Sequence, residues 1–175
     1  MTADVPVREA TLDDVDELVA LWAHYIRVHR ANPAYRLCRD DGLEHRRRRF
    51  EQHVKGQISC VFVIPGQHGG LDSMLSCFVE ENTGYFDPPR YGRLQTPFVR
   101  PETRGRGYMR RLVAAAYLWA RDRGLTEIRL FTSACEPAAN LRAEEMGFEA
   151  FEIVRRRPVE RNYPMGKTPF DKPQL

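Results

Sequence analysis

RPETRGRGYMRRL, residues 100–112, gathers Arg100, Arg104, Arg106, Arg110 and Arg111 around two glycines spaced one residue apart. Before it lies RLQTPFV, residues 93–99, a β-rich run with Pro97 near its end, where a bulge or break in pairing is expected. After it, Met109, Leu112, Val113, Ala116 and Ala120 recur at helical spacing from about Tyr108 until Gly124 stops the helix. A strand that turns into a helix this way leaves several backbone N–H groups at the helix start without intrahelical acceptors. Gly105 and Gly107 let the chain take positive φ and approach a ligand closely, and Arg104 and Arg106 add charge of the favourable sign. A phosphate or diphosphate fits best. The spacing is neither the GxGxxG of a dinucleotide fold nor a loop ending in GK[ST], so nucleotide hydrolysis is disfavoured.

Working outward, the sequence predicts one strand, two helices, three strands, a helix, a strand, a helix and a strand. A short extended VPVREA precedes a helix opened by Thr11, with Leu12, Val15, Leu18, Val19, Trp22, Tyr25 and Ile26 on its apolar stripe. The second helix opens near Asp41 and stops at Gly56. SCVFVIP (59–65) and LDSMLSCFVEE (71–81) read as a hairpin around GQHGG, and NTGYFDPPRYG (82–92) as an irregular linker. TEIRLFT (126–132), EPAANLRAEEM (136–146) and FEAFEIVRRR (148–157) complete the series as strand, helix and strand. This is a single α/β domain of 175 residues, with a core over about 5–157 and an irregular tail over about 158–175.

Charge and cysteine usage narrow the class. Twenty-seven basic against 24 acidic residues leave a net charge of +3, so local patches matter more than a globally basic character. Cys38, Cys60, Cys77 and Cys135 form no CxxC pair, which signals neither zinc nor a disulfide framework and suits a reducing cytoplasm. No apolar run reaches the ~18 residues of a membrane span. His24, His29 and His45 lack ligand spacing, so no metal is expected, and Cys135 has no nearby His-Asp pattern that would make it a nucleophile. In HRRRRF, residues 45–50, four consecutive arginines point around most of a helix and read as a solvated face; a nucleic-acid groove built on Arg46–Arg49 is the disfavoured alternative. Trp22 and Tyr25 read as core.

The loop resembles that of the acetyl-CoA-dependent N-acetyltransferases of the GCN5-related superfamily, [QR]-x-x-G-x-[GA] after a strand ending in V-x-P. Val99, Pro101, Arg104, Gly105 and Gly107 match, and Met109 stands where glycine or alanine is usual. The resemblance implies a mixed, mostly antiparallel sheet of six or seven strands flanked by about four helices. It implies that Phe98 and Val99 meet the pantetheine of coenzyme A and that Arg104, Gly105, Arg106, Gly107, Tyr108 and Met109 hold its diphosphate. Gly147-Phe148 matches a later family pair, but Ala143 occupies the usual tyrosine position, Glu136 the asparagine position and Gln95 that of the frequent glutamate. Asn140 is a substitute for the asparagine, and Glu80 and Glu81 are candidates for the general base by position only. The region of Trp22, Tyr25 and Tyr35 resembles the acceptor side. The implied activity is acetyl transfer from acetyl-CoA to a primary amine of a small molecule or peptide by direct attack in a ternary complex, with a homodimer as a compatible state. The departures at Gln95, Glu136 and Ala143 also leave open a module that binds coenzyme A without transferring.

Overall fold

Two apolar layers, one on each face of a five-stranded sheet, organise the chain. The structure is a computed structural model that describes residues 5–30, 32, 35, 41–67 and 69–155. In order come β1 (Arg8–Glu9), a 3-10 turn (Leu12–Asp14), α1 (Val15–Val28), α2 (Gly42–Lys55), β2 (Ser59–Pro65), β3 (Leu71–Glu81), β4 (Arg90–Val99), a 3-10 turn (Pro101–Thr103), α3 (Tyr108–Asp122), β5 (Ile128–Leu130) and α4 (Pro137–Glu145). The strands lie side by side in sequence order. The first four are antiparallel, and β5 joins β4 in parallel through the α3 crossover.

The start of α1 is fixed locally. The Thr11 amide donates to Asp14 Oδ2 at 2.8 Å, and Arg8 holds the same carboxylate with both terminal nitrogens at 2.7 and 2.8 Å. That pairing keeps the Asp14 carboxyl below its usual range. Alternation along β2 then sorts side chains between the two layers. Val61 and Val63 join Leu18, Leu21, Tyr25, Phe50, Met74 and Phe98 under α1 and α2. Cys60, Phe62 and Ile64 join Leu75, Cys77, Leu94, Leu112, Ala116 and Trp119 under α3. Because helices cover both faces, β2 is buried almost end to end.

Three expectations change. β4 begins at Arg90, inside the stretch read as linker, since Arg90 and Tyr91 pair with Glu81 and Glu80. The expected strand over 126–132 contracts to Ile128–Leu130, which among the described residues has a partner on one side only. The expected last strand is absent over residues 148–155: Phe151, Ile153 and Val154 are 70%, 66% and 85% exposed, and residues 156 and 157 lie outside the described part. Among the described residues the sheet therefore has five strands, against the six or seven expected, because alternation in FEAFEIV supplies a pattern and not a partner. The expected tail from 158 on also lies outside the described residues.

Candidate active site

The end of β4, the turn after it and the first turn of α3 build the site. Gly105 and Gly107 have φ of +80° and +74°, and Gly107 caps α3 in the left-handed region. A Cβ at either would touch nothing within 4 Å, so backbone torsion and not space demands glycine there. Among the described residues, the amides of Gly105, Arg106, Gly107, Tyr108, Met109 and Arg110 donate to no backbone carbonyl; the ladder starts with the Arg111 amide on the Gly107 carbonyl at 3.2 Å. Tyr108 and Met109 pack their side chains into the α3 layer, so the bulk at Met109 points away from those amides.

The arginines divide by role. Arg104, Arg106 and Arg110 are exposed around the loop, and Arg104 Nε donates to the Val99 carbonyl at 3.4 Å. Arg100 turns back to brace β3, donating Nε to the Leu71 carbonyl at 2.7 Å. Arg111 donates to the Val5 carbonyl.

Upstream, β4 is bent and one of its edges is free. Ser76 pairs with Gln95 and Met74 with Phe98, so Leu75 faces two residues, Thr96 and Pro97, in the bulge that Pro97 predicted. Thr96 has φ +57°, rare for a β-branched residue. The pairing of β4 with β5 ends at Leu94 and Leu130, although β4 runs on to Val99. Among the described residues its backbone from Gln95 to Val99 is therefore unpaired on that side, an edge of roughly 16 Å at ~3.3 Å per residue. Phe98 sends its ring into the α1 layer beside His24 and Tyr25, at centroid distances of 5.4 and 5.8 Å, and Val99 packs on the α3 side.

On the α1 side the Tyr25 and Tyr35 hydroxyls hydrogen-bond each other, and burial followed by that bond raises the Tyr25 pKa. Tyr25 also feels the charge of Glu136, a half-buried carboxylate with no hydrogen bond or ion pair among the described residues. Arg46 of α2 reaches the bulge, donating Nη2 to Thr96 Oγ1 at 2.6 Å while its guanidinium lies over the Phe50 and Trp22 rings at 4.4 and 5.7 Å. Burial first, and Arg49 second, bring its pKa down to about 10. His24 is likewise lowered by burial, then by Arg27 and Arg100.

Other sequence candidates lie elsewhere or are engaged. Arg93 Nη1 holds both oxygens of Glu80 at 2.9 Å, and Glu80 and Glu81 pair with Tyr91 and Arg90 at the end of the hairpin remote from the loop. The seven-residue step from Tyr91 to Phe98 corresponds to roughly 23 Å of strand. Asn140 accepts from Thr132 Oγ1 and donates to the Ser133 carbonyl at 3.0 Å, which ties the β5–α4 loop to its helix. Ala143 is buried, and Cys135 is exposed. Residue spacing does not single out Arg46 within a run that reads as solvated, nor does it point to Thr96; the bulge expected at Pro97 is the signal available for Thr96. Among the described residues no group of three or more His, Cys, Asp or Glu could hold a metal, and no helix is long and apolar enough to cross a membrane.

The fold is shared with solved structures. The tetramutant of the BH1408 protein from Bacillus halodurans superposes with a TM-score of 0.73 at 18% identity, covering 87% of this chain and 99% of that one. AAC(6')-Iy, in complex with the bisubstrate analogue CoA-S-monomethyl-acetylneamine, gives 0.66 at 19%, covering 88% and 97%. A predicted acetyltransferase with acetyl-CoA from Clostridium acetobutylicum gives 0.70 at 15%, covering 87% and 94%. These likenesses show a fold shared with acetyltransferase structures. Comparison with curated protein sequences found no match. The profile of the acetyltransferase (GNAT) family matches residues 33–148, and the chain belongs to that family.

Proposed function

We propose that the protein moves an acetyl group from acetyl-CoA to a primary amine, with a small-molecule acceptor favoured over a peptide. The observation that carries this is the run of acceptor-free amides from Gly105 to Arg110, opening α3 next to the unpaired edge of β4. Residues 104–109 would hold the diphosphate by backbone donors, with Arg104, Arg106 and Arg110 around it, and the backbone at Phe98 and Val99 would take the amide-bearing arm. Bound there, acetyl-CoA supplies an activated acyl group. The fold neighbours with coenzyme A derivatives or acetyl-CoA support that cofactor.

Transfer requires a neutral amine nitrogen to form the new C–N bond, departure of the thiolate, and removal of the ammonium proton. A lysine-like amine has a pKa of ~10.4, so a nearby carboxylate helps. Glu136, half-buried and unpaired among the described residues, is a better candidate for this than Glu80 in its grip by Arg93 or Glu81 beyond it. A thiolate leaving group of pKa ~8.5 needs little acid help, so Ala143 in place of a tyrosine is compatible with turnover. The free thiols Cys60 and Cys77, opposite each other on β2 and β3, suit a cytoplasmic setting.

Calorimetry with acetyl-CoA and with coenzyme A tests the cofactor. One saturable site is expected, and no binding at about 1 mM cofactor would remove the reading. A second reading, cofactor binding without transfer, is favoured by Gln95 and Ala143 alone. Thiol release with a broad amine panel separates the two, because sustained turnover excludes a binding module.

A further inference from the structure

The guanidinium of Arg46 is partly withdrawn from water, and no anion of this protein accompanies it among the described residues. Its neighbours on α2 face outward: Arg47 pairs with Asp16 at 2.6 Å and Arg48 with Glu44 at 3.1 Å. Arg46 instead lies against the Trp22 and Phe50 rings, and among the described residues no carboxylate pairs with it. A guanidinium carries five N–H donors. One terminal nitrogen is spent on Thr96, and Nε is buried without an acceptor. Leaving a dehydrated cation uncompensated is costly, and its protonated form is correspondingly disfavoured. Buried charges with perturbed proton affinity cluster at functional sites.

The surroundings point to the ligand. Thr96 takes a strained φ of +57° in the bulge and turns its hydroxyl to Arg46. Phe98, where β4 has its unpaired edge, is two residues on, roughly 7 Å along the strand. The charges felt by Arg46 and His24 are mostly cationic, from Arg49, Arg27, Arg100 and Arg104, with Glu102 opposing at His24. Tyr25 lies within range of the charge of Glu136, which precedes α4. A polycation would meet several guanidinium groups. A molecule bearing a carboxylate beside its amine would offer Arg46 the anion it lacks.

We propose that Arg46, steadied by Thr96, binds a carboxylate of the acceptor, and that the acceptor is an amino-acid-sized amine bearing a carboxylate. The proposal rests on the acetyl-transfer reading, and its test has an arm that does not. Thiol release from acetyl-CoA is measured with the matched pairs lysine and cadaverine, ornithine and putrescine, and phenylalanine and phenethylamine. Saturation-transfer NMR of the same six compounds is run on the cofactor-free protein. In at least one pair the carboxylate-bearing member is expected to lead by about tenfold or more in kcat/KM; Arg46→Gln abolishes that lead through KM while sparing the decarboxylated partner within about threefold. Arg46→Lys, which keeps the charge without the fork, falls between. Equal or inverted preference in every pair overturns the proposal, as does an equal loss on both members in Arg46→Gln, the mark of a merely structural arginine. Should no amine be acetylated, the transferase reading fails by itself and the NMR arm decides: carboxylate-selective transfer that Arg46→Gln removes supports the site, and unselective or absent transfer ends it. If Arg46→Gln does not fold, the wild-type pairs together with Arg46→Lys decide between the same two outcomes.

Discussion

Gly107 combines φ +74° with open space where a side chain would go. Gly107→Ala should therefore cost about 1 kcal/mol of stability through torsion alone. It should also weaken coenzyme A by about tenfold or more, because the first turn of α3 tilts its amides; urea unfolding and calorimetry read the two effects apart. Glu80 makes the opposite case. Its ion pair with Arg93 is about a third exposed, with side chains 27% and 32% accessible, so Glu80→Gln should shift stability by no more than about 1 kcal/mol and leave kcat unchanged. A collapse of turnover in that variant would return Glu80 to the role that its strand position alone suggested. The glycines were legible in the sequence because torsion is a local property. Which of four consecutive arginines turns inward was not: their side chains sweep most of a helix circumference, and only the rings of Trp22 and Phe50 select Arg46.

At the scale of an element, α2 carries little apolar surface and buries only Phe50 and His53. His53 is buried against the Phe78 ring, its Nδ1 without a partner, and burial followed by Arg46 and Arg49 holds its pKa down to about 4 from 6.5. The unfolded chain therefore binds the extra proton between those values, and stability falls as pH drops through that window. Between about pH 7 and pH 5 the loss attributable to His53 should be about 2 kcal/mol, and His53→Leu should flatten it in urea titrations. An unchanged slope would mean that α2 already admits water at His53. Periodicity and caps drew α1, α3 and the β2–β3 hairpin closely, since each buries a continuous face. They overdrew β5 and the strand after α4, whose lengths depend on partners that no local pattern supplies.

At the scale of the molecule, the two layers share one sheet, so the two are expected to melt together. Leu21→Ala beneath α1 and Leu112→Ala beneath α3 should each cost about 3 kcal/mol. The double variant should show their sum within about 0.5 kcal/mol and an unchanged denaturant slope, because the sites share no partner. A two-step unfolding curve would instead mark the α3 layer as a separate cooperative unit.

The ordering of the sheet also governs how the protein behaves in crowded company. Its long strands, β2, β3 and β4, are interior, while the two borders are the two-residue β1 and the three-residue β5. Among the described residues, a stranger seeking to extend the ladder finds only a few unspent backbone groups at either margin, too short a template for fibre growth. The free stretch of β4 beyond β5 is the one sizeable invitation among the described residues, and it is where the proposed cofactor arm would lie.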